Sequence, residues 1–332
     1  MSTAEKITSE IINDAVLRAS YGNQVLFEYN FRPQTPQQHC PRPYLHPIHT
    51  LAGDVLTNTR PSDHPWHQGL SLTMTSVNGM NFWGGPTYRA KVGDYANIDN
   101  VGTQQHRRWV EAKPFDQGCA WTEILDWIGP RNEHVFTETR TLSVCDIDPA
   151  NRLWRLVWES ELTNVLGETI THNSYCSGEG LQGSGYTGLF LRMSRGFDQT
   201  PTHIFAGVEM PEWDDYHDGK TILASPDHLN GWPSSRLAYQ GIFDTSLKGC
   251  LLLCEDLTEK PPYEHHWFCR PQFPCLAWST AYLDPHIINP GETFSLRHSL
   301  GIAEGFWTKD RARSLWKGDY AQTPTPPSPT PA

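Results

Sequence analysis

Hydrophobic and polar residues alternate at every second position along much of the chain. The alternation is clearest at residues 24–29, 134–142 and 153–159, which are rich in β-branched and aromatic side chains. A period of two predicts strands with one face buried. Further candidate strands, separated by Gly, Pro, Asn or Asp, are 70–76, 119–127, 168–175, 187–193, 237–243, 249–254, 276–282 and 293–303. So many strands predict an all-β fold, a large antiparallel β-sandwich of two packed sheets.

Helical patterns occur only near the two ends of the chain. Residues 4–18 are compatible with one short helix, and Thr308 is a good N-cap for a second helix. No repeat or composition break divides the interior, so one β domain is expected. The predicted organisation is an N-terminal segment (1–18), a β-sandwich domain (19–305), a short helix (306–320) and a disordered proline-rich tail (321–332).

Composition narrows the classes of partner and the compartment. The formal net charge is -11, from 26 basic and 37 acidic residues, which argues against nucleic-acid and anionic-membrane partners and favours a neutral or cationic small ligand. Thirteen tryptophans would serve as core or as stacking platforms for sugar rings. We find no secretory signal and no apolar run long enough to span a membrane, so a cytoplasmic location is expected. The eight cysteines are then expected to be free rather than bridged.

The densest group of chemically active residues lies in three short segments, 42–49, 63–69 and 81–85. The central one reads Asp-His-Pro-Trp-His-Gln-Gly, and Pro65 keeps His64 out of the helical region. Asp63 would orient one imidazole. Three interpretations remain open: acid/base groups titrating near pH 6.5, ligands of a divalent metal, or turn histidines that donate to backbone carbonyls. A metal would need a third donor, from among His46, His172, His265 and His266.

Two further clusters follow along the chain. Residues 183–192 contain three glycines in no phosphate-loop context, which leaves Tyr186 and Arg192 as ligand contacts or as part of a strand-edge turn. In residues 263–270, His265 and His266 face opposite sides of a strand, so at most one enters a site. Motifs of serine hydrolases and of dinucleotide-binding folds are absent.

With these motifs in view, the chain resembles the bacterial PmoA-like family of unknown function over roughly residues 20–305. The resemblance rests on Arg42-Pro-Tyr-Leu-His-Pro47, the 63–69 turn, Asn81-Phe-Trp-Gly-Gly-Pro-Thr-Tyr88, Gly185-Tyr-Thr-Gly-Leu189 and Asn289-Pro-Gly-Glu-Thr-Phe-Ser-Leu-Arg297. The inherited name "methane oxygenase" has no support, since membrane-spanning helices are missing. More remotely, the layout resembles the galactose-mutarotase supersandwich. That resemblance implies an acid/base pair of His67 and His172, with Glu264 as partner base.

The leading hypothesis is a carbohydrate-active enzyme that acts by proton transfer on a sugar or keto-glycoside, through epimerisation, elimination or hydrolysis. The candidate catalytic residues are His64, His67, His172 and Glu264. The candidate substrate-binding residues are Arg42, Tyr44, His46, Asp63, Trp66, Trp83, Tyr186 and Arg192. The candidate metal ligands are His46, His64, His67 and His172. The alternatives are a non-catalytic sugar-binding or regulatory domain and a metal-dependent oxygenase, and the oligomeric state stays open.

Overall fold

The computed structural model describes residues 6–115, 118–198, 203–206, 230–270 and 272–315, and these form an almost entirely β structure. The strands, in chain order, are β1 (Ile7–Ile12), β2 (Val16–Tyr21), β3 (Gln24–Asn30), β4 (Tyr44–Ile48), β5 (Leu70–Val77), β6 (Met80–Phe82), β7 (Thr87–Arg89), β8 (Asp94–Ala96), β9 (Thr103–Phe115), β10 (Gly118–Ile128), β11 (His134–Asp148), β12 (Leu153–Asn164), β13 (Ile170–Asn173), β14 (Gly188–Arg192), β15 (His203–Ala206), β16 (Trp232–Pro233), β17 (Arg236–Ile242), β18 (Gly249–Asp256), β19 (His266–Arg270), β20 (Cys275–Ser279), β21 (His286–Ile288) and β22 (Thr293–Glu304). The helices are α1 (Tyr175–Glu179) and α2 (Lys309–Leu315), with 3-10 turns at Gln37–His39 and Arg195–Asp198.

Two large antiparallel sheets contain nearly all of these strands. The first sheet runs in the order β1-β2-β3-β4-β5-β14-β20-β19-β16, with β6, β13 and β21 attached beside β5. The second runs β15-β17-β18-β22-β12-β11-β10-β9, and β7 and β8 form a separate hairpin. Side chains from both sheets fill one hydrophobic core between them. The prediction of a large antiparallel β-sandwich is therefore confirmed.

The central strands of the first sheet are buried on both faces. In β14, Leu189 and Leu191 enter the core between the sheets, whereas Phe190 points to the opposite face. Strand β19, separated from β14 by β20, behaves in the same way, since Trp267 and Cys269 face the core and Phe268 faces outward. Because successive side chains of a strand alternate between faces, these strands build a second, aromatic cluster on the outer face of the first sheet.

The outer face of the second sheet is covered differently. Leu251 and Leu253 of β18 pack there with Trp307 and with Ala312 of α2. Helix α2 lies within the helix predicted at 306–320, of which residues 316–320 fall outside the described ranges. The predicted tail at 321–332 also falls outside them.

The N-terminal segment corrects one prediction. Residues 4–18 were compatible with a helix, but β1 pairs with β2 and residue Ile12 lies opposite Val16. Asn13 and Asp14 both adopt positive φ, 50° and 52°, and reverse the chain between the two strands. Asn and Asp tolerate this conformation better than most residues, so they favour a hairpin over a helix here.

No helix within the described ranges is long and apolar enough to cross a bilayer. All eight cysteines are free, as predicted, and Cys250 and Cys254 lie in the core. Burial raises the pKa of the Cys269 thiol beyond its usual range, and Cys275 adds to the effect. These thiols therefore act as small apolar side chains.

Candidate functional site

A cavity of about 370 Å³ lies on the outer face of the first sheet, next to the aromatic cluster of β14, β19 and β20. This volume falls in the range typical of small-molecule sites. The lining residues are His64, Trp66, His67, Trp83, Pro86, Tyr95, Ser184, Tyr186, Phe268, Arg270 and Phe273. Five of the residues predicted from the sequence therefore meet at one place, namely His64, Trp66, His67, Trp83 and Tyr186.

The turn at residues 63–69 brings the two histidines together. The amide of His67 donates to the carbonyl of His64 at 2.9 Å, with Pro65 in the position where its fixed φ suits a turn. Gly69 follows with φ +45°, and a Cβ there would lie 2.0 Å from the carbonyl oxygen of Leu45. The imidazoles of His64 and His67 stack at 4.6 Å with an interplanar angle of 21°. Both rings therefore sit on one wall of the cavity.

Arg192, at the end of β14, contacts both sides of this turn. Its Nη2 donates to Asp63 Oδ2 at 3.2 Å, and its Nη1 lies 3.5 Å from His67 Nδ1. An additional bond from Nη1 to the carbonyl of Phe273, at 3.1 Å, fixes the guanidinium. The side chain is buried and does not line the cavity, so Arg192 positions the turn rather than meeting a ligand.

The protonation of His67 follows from this contact. Arginine can only donate, so Nδ1 of His67 is the acceptor and the proton of the neutral ring lies on Nε2. Burial lowers the pKa of His67 well below its ordinary value, and the charges of His64, Arg192 and Arg42 lower it further. His67 is therefore a neutral hydrogen-bond donor at physiological pH.

Asp63 and His64 form a carboxylate–imidazole pair at the edge of the cavity. The Nδ1 of His64 lies 2.9 Å from Asp63 Oδ2. Burial raises the pKa of Asp63, but the hydrogen bond from His64 and the Arg192 charge outweigh it and lower the pKa overall. The ionised carboxylate accepts the Nδ1 proton, which leaves Nε2 of His64 as a base. The two histidines thus differ, one basic and one donating.

Arg42 does not line the cavity, although the sequence suggested a ligand contact. It is almost fully buried and donates to Ser71 Oγ at 3.0 Å and to the carbonyls of Trp66 and Trp83, both at 3.0 Å. The two loops that carry these tryptophans are therefore tied to one guanidinium. Burial lowers the pKa of Arg42, and carbonyl oxygens take the place of a counter-ion.

The Gly84-Gly85 pair accommodates Trp66. A Cβ on Gly85 would lie 2.4 Å from the Trp66 ring, and one on Gly84 would lie 2.8 Å from the His39 backbone. Both glycines also have positive φ, 96° and 68°. The motif therefore lets an indole lie directly on the backbone at the rim of the cavity.

Aromatic side chains continue around the rest of the cavity. Trp83 lies 5.4 Å from His67 and 4.7 Å from Tyr186, measured between ring centroids. Tyr186 in turn lies 5.3 Å from Phe268, and its hydroxyl is 2.8 Å from that of Tyr95. Burial raises the pKa of Tyr186 well above its usual value, so the phenol stays neutral and serves as a hydrogen-bonding group.

Four predicted site residues lie elsewhere. His172 is fully buried, with Nε2 3.1 Å from Thr280 Oγ1, and burial together with His286 lowers its pKa to about 3. His46 lies 2.9 Å from Thr57 Oγ1, and burial lowers its pKa to about 4. Tyr44 is half-buried in β4, and the Glu264 carboxylate is exposed. Sequence order cannot reveal that β13 directs His172 into the core.

The four candidate metal ligands are also separated, since only His64 and His67 reach the cavity. Neither His265 nor His266 supplies a third donor there: the first bonds Asp256 at 2.9 Å and the second stacks on Tyr282. In the described ranges, no group of three His, Cys, Asp or Glu is placed to hold a metal ion. This geometry gives no support to the oxygenase alternative.

Sequence reasoning missed six lining residues, Pro86, Tyr95, Ser184, Phe268, Arg270 and Phe273. Phe268 and Arg270 stand at alternate positions of one strand and therefore share a face, a signal available from the sequence. Tyr95 comes from the separate β7–β8 hairpin, for which no pattern in the sequence predicts contact with Tyr186.

Solved structures with a remote likeness include two alpha-galactosidases. The enzyme from Lactobacillus brevis is 10% identical, with a TM-score of 0.36, and the alignment covers 92% of this chain and 40% of that chain. The GH36 alpha-galactosidase AgaB from Geobacillus stearothermophilus is 6% identical, with a TM-score of 0.34, covering 92% and 39%. The chain thus spans about two fifths of the length of these enzymes.

A third structure is the GalM/aldose epimerase homologue from C. elegans. It is 8% identical, with a TM-score of 0.31, and the alignment covers 91% of this chain and all of that chain. No curated protein matches the chain. A sequence model described as a family of unknown function, DUF6807, matches residues 17–317. The match confirms the expected family of unknown function and gives no support to the PmoA-like name.

Proposed function

We propose that this chain, which belongs to the family of unknown function DUF6807, binds a sugar-sized ring in the cavity and acts on it by proton transfer at His64. The observation that carries the proposal is the pairing of a basic His64 with a neutral, donating His67 on one wall of an aromatic cavity. Trp66, Trp83 and Tyr186 supply flat faces for a sugar ring.

The division of labour follows from the two protonation states. Asp63 holds the Nδ1 proton of His64, so Nε2 accepts a proton from the ligand. The Nε2–H of His67 donates to the ligand oxygen on which negative charge develops, and its low pKa keeps it neutral during the reaction. Base and donor stack at 4.6 Å, so they address neighbouring atoms of one ligand.

A keto-glycoside suits this arrangement. The hydrogen on a carbon next to a ketone is acidic, and its removal by His64 leaves the electron pair on the carbonyl oxygen beside His67. Protonation of the opposite face by a water molecule, with loss of the abstracted proton from His64 to solvent, completes an epimerisation. Departure of an oxygen substituent from the next carbon, which takes up the proton held by His64 as it leaves, completes an elimination. Hydrolysis would use the same base on a water molecule.

The test uses the full chain with a panel of glycosides and 3-keto-glycosides in D2O, with and without divalent metal. We expect deuterium incorporation or a new product by NMR with at least one keto-glycoside. His64→Gln should lower that rate about 100- to 10,000-fold, the usual contribution of a general base. His134→Gln, an exposed histidine on β11, is the matched control. A panel without any exchange or product would contradict the enzymatic proposal.

A non-catalytic sugar-binding protein is the second candidate, because aromatic rings make up most of the cavity wall. Tryptophan fluorescence titrations distinguish the two. A binding protein would hold the sugar without turnover, and Trp83→Ala would weaken binding about 10-fold or more, as expected when a stacked aromatic is lost.

A further inference from the structure

The charge of the cavity differs from the charge of the chain. The protein carries a formal net charge of -11, yet none of the described lining residues is a carboxylate, and Asp63 at the rim is paired with Arg192. One permanent cation, the guanidinium of Arg270, lies among them. The net charge favours neutral or cationic ligands in general, whereas the cavity wall favours a negative group.

Arg270 is held in place without being neutralised. Its Nη2 donates to the carbonyl of Gly183 at 2.7 Å and its Nη1 to the carbonyl of Cys269 at 3.0 Å. The guanidinium also lies 4.7 Å from the centroid of the Phe268 ring. These bonds use two of the five N–H groups that an arginine carries. No ion pair joins it to a carboxylate within the described part of the chain.

Other enclosed arginines have different partners. Arg140 pairs with Glu138 at 2.7 Å, and Arg192 pairs with Asp63 at 3.2 Å. Arg42 has no such carboxylate, but it is almost fully buried and donates to four backbone carbonyls and one hydroxyl. Arg270 is half-buried at the cavity wall and keeps donors to spare, as expected of a residue that meets an anion.

Ring contacts connect Arg270 to the proposed base. His64 stacks on His67, which contacts Trp83, and Trp83 contacts Tyr186. Tyr186 contacts Phe268, on which the guanidinium lies. His64 and Arg270 therefore line the same cavity and belong to one continuous set of ring contacts.

We propose that the ligand is a sugar acid whose carboxylate pairs with Arg270. This inference rests on the proposed function and names its substrate class. One free guanidinium balances one negative charge, and its planar fork fits the two oxygens of a carboxylate. A phosphate monoester carries nearly two charges and would call for a further cation or a cluster of backbone N–H groups.

The experiment compares matched ligands by calorimetric or fluorescence titration of the full chain. The probes are glucuronate and galacturonate, the neutral sugars glucose and galactose, the methyl esters of the two acids, and glucose 6-phosphate. We expect the acids to bind about 10- to 100-fold more tightly than their neutral counterparts, the usual gain from hydrogen bonds to a charged group. The methyl esters should bind like the neutral sugars.

Arg270→Gln should abolish this preference, because the acids lose the charged partner that distinguishes them from the neutral sugars. Arg270→Lys keeps the charge but loses the fork, so an intermediate preference is expected, and it provides the test if the glutamine variant does not fold. Arg107→Gln removes an exposed arginine of β9 and should change nothing.

Four results would overturn the inference. Equal binding of acids and neutral sugars would leave the proposed function intact and remove the sugar acid. Tighter binding of glucose 6-phosphate, or an acid preference that survives in both Arg270 variants, would also refute the role of Arg270. Absence of binding by every probe would count against the sugar acid and the proposed sugar site together.

Discussion

The molecule contains two pairs of a histidine and a carboxylate that differ in their surroundings. Asp63 and His64 lie at the cavity rim with side-chain exposures of 38% and 28%. Glu123 and His106 lie between the sheets with exposures of 1% and 2%. The contact has the same chemistry in both pairs, an imidazole Nδ1 against a carboxylate oxygen. The first pair is partly open to solvent, whereas the second is enclosed.

The enclosed pair belongs to a closed network of protein groups. Glu123 also accepts a hydrogen bond from the hydroxyl of Tyr29, which in turn accepts one from Arg140 at 2.8 Å. Arg140 holds Glu138 through two bonds of 2.7 and 2.8 Å. Each charge there is met by another residue, whereas His64 lines the cavity. Access to an unfilled hydrogen-bonding position, more than residue type, marks a site for chemistry.

The largest expected effect comes from breaking the enclosed pair. Glu123→Gln leaves His106 and Tyr29 without their charged acceptor, so we expect a loss of about 3 to 5 kcal/mol in the free energy of unfolding. Urea denaturation monitored by tryptophan fluorescence measures it. A change below about 1 kcal/mol would mean that the network contributes no more than a surface pair.

The same carboxylate-to-amide change at Asp63 should lower turnover more than it lowers the free energy of unfolding. Asp63→Asn removes the charge that orients His64, so we expect turnover to fall about 10- to 100-fold, part of the usual contribution of a general base. Asp63 and His64 are partly exposed, so the loss of stability should be smaller than in Glu123→Gln, and its main source is the buried Arg192, which loses its charged partner. Loss of stability without loss of turnover would reverse the comparison.

His172, which is enclosed in the core, gives a pH-dependent prediction. Burial lowers the pKa of His172 to about 3, while the unfolded chain titrates near 6.5. Between these values the unfolded state binds a proton that the folded state does not, so stability falls as the pH falls through this window. At pH 5 the loss from this residue is about 2 kcal/mol relative to pH 7. His172→Asn should flatten the pH profile of urea unfolding, and an unchanged slope would be inconsistent with the buried neutral ring.

The smallest expected effect concerns the glycine under Trp66. Gly85→Ala places a Cβ 2.4 Å from the indole at φ +68°, so the ring must shift. We expect ligand affinity to fall about 5- to 10-fold, roughly 1 kcal/mol, by fluorescence titration. Gly93→Ala shares the backbone strain at φ +72°, but nothing lies within 4 Å of its Cβ. Equal losses in both variants would assign the effect to strain alone.

The sequence predicts the fold better than it predicts the site. Alternation in β11 and β12 gives both strands, because every second residue faces the core. It fails at residues 4–18, where isoleucines four apart fit a helix as well as a hairpin. The part of the site that is local in sequence is predicted as well as the strands are, since the 63–69 turn brings His64 and His67 together.

The placement of residues that are far apart in sequence depends on tertiary structure. His172 sits in a motif resembling that of mutarotases but turns into the core, and Arg270 stands about two hundred residues from His64 yet lines the same cavity. No local pattern encodes the order in which β14, β20 and β19 join the first sheet. The cytoplasmic location and the expected absence of nucleic-acid and membrane partners remain predictions.

In the central strands of the first sheet, one set of positions stabilises the fold and the alternate set faces the cavity side. In β14, Leu189 and Leu191 belong to the core while Phe190 belongs to the cavity face. Mutations at the outward positions can therefore reshape ligand preference while the fold is retained. Relatives with this architecture would be free to diverge in substrate along one face, and a library randomised only at such positions would sample new specificities on an intact scaffold.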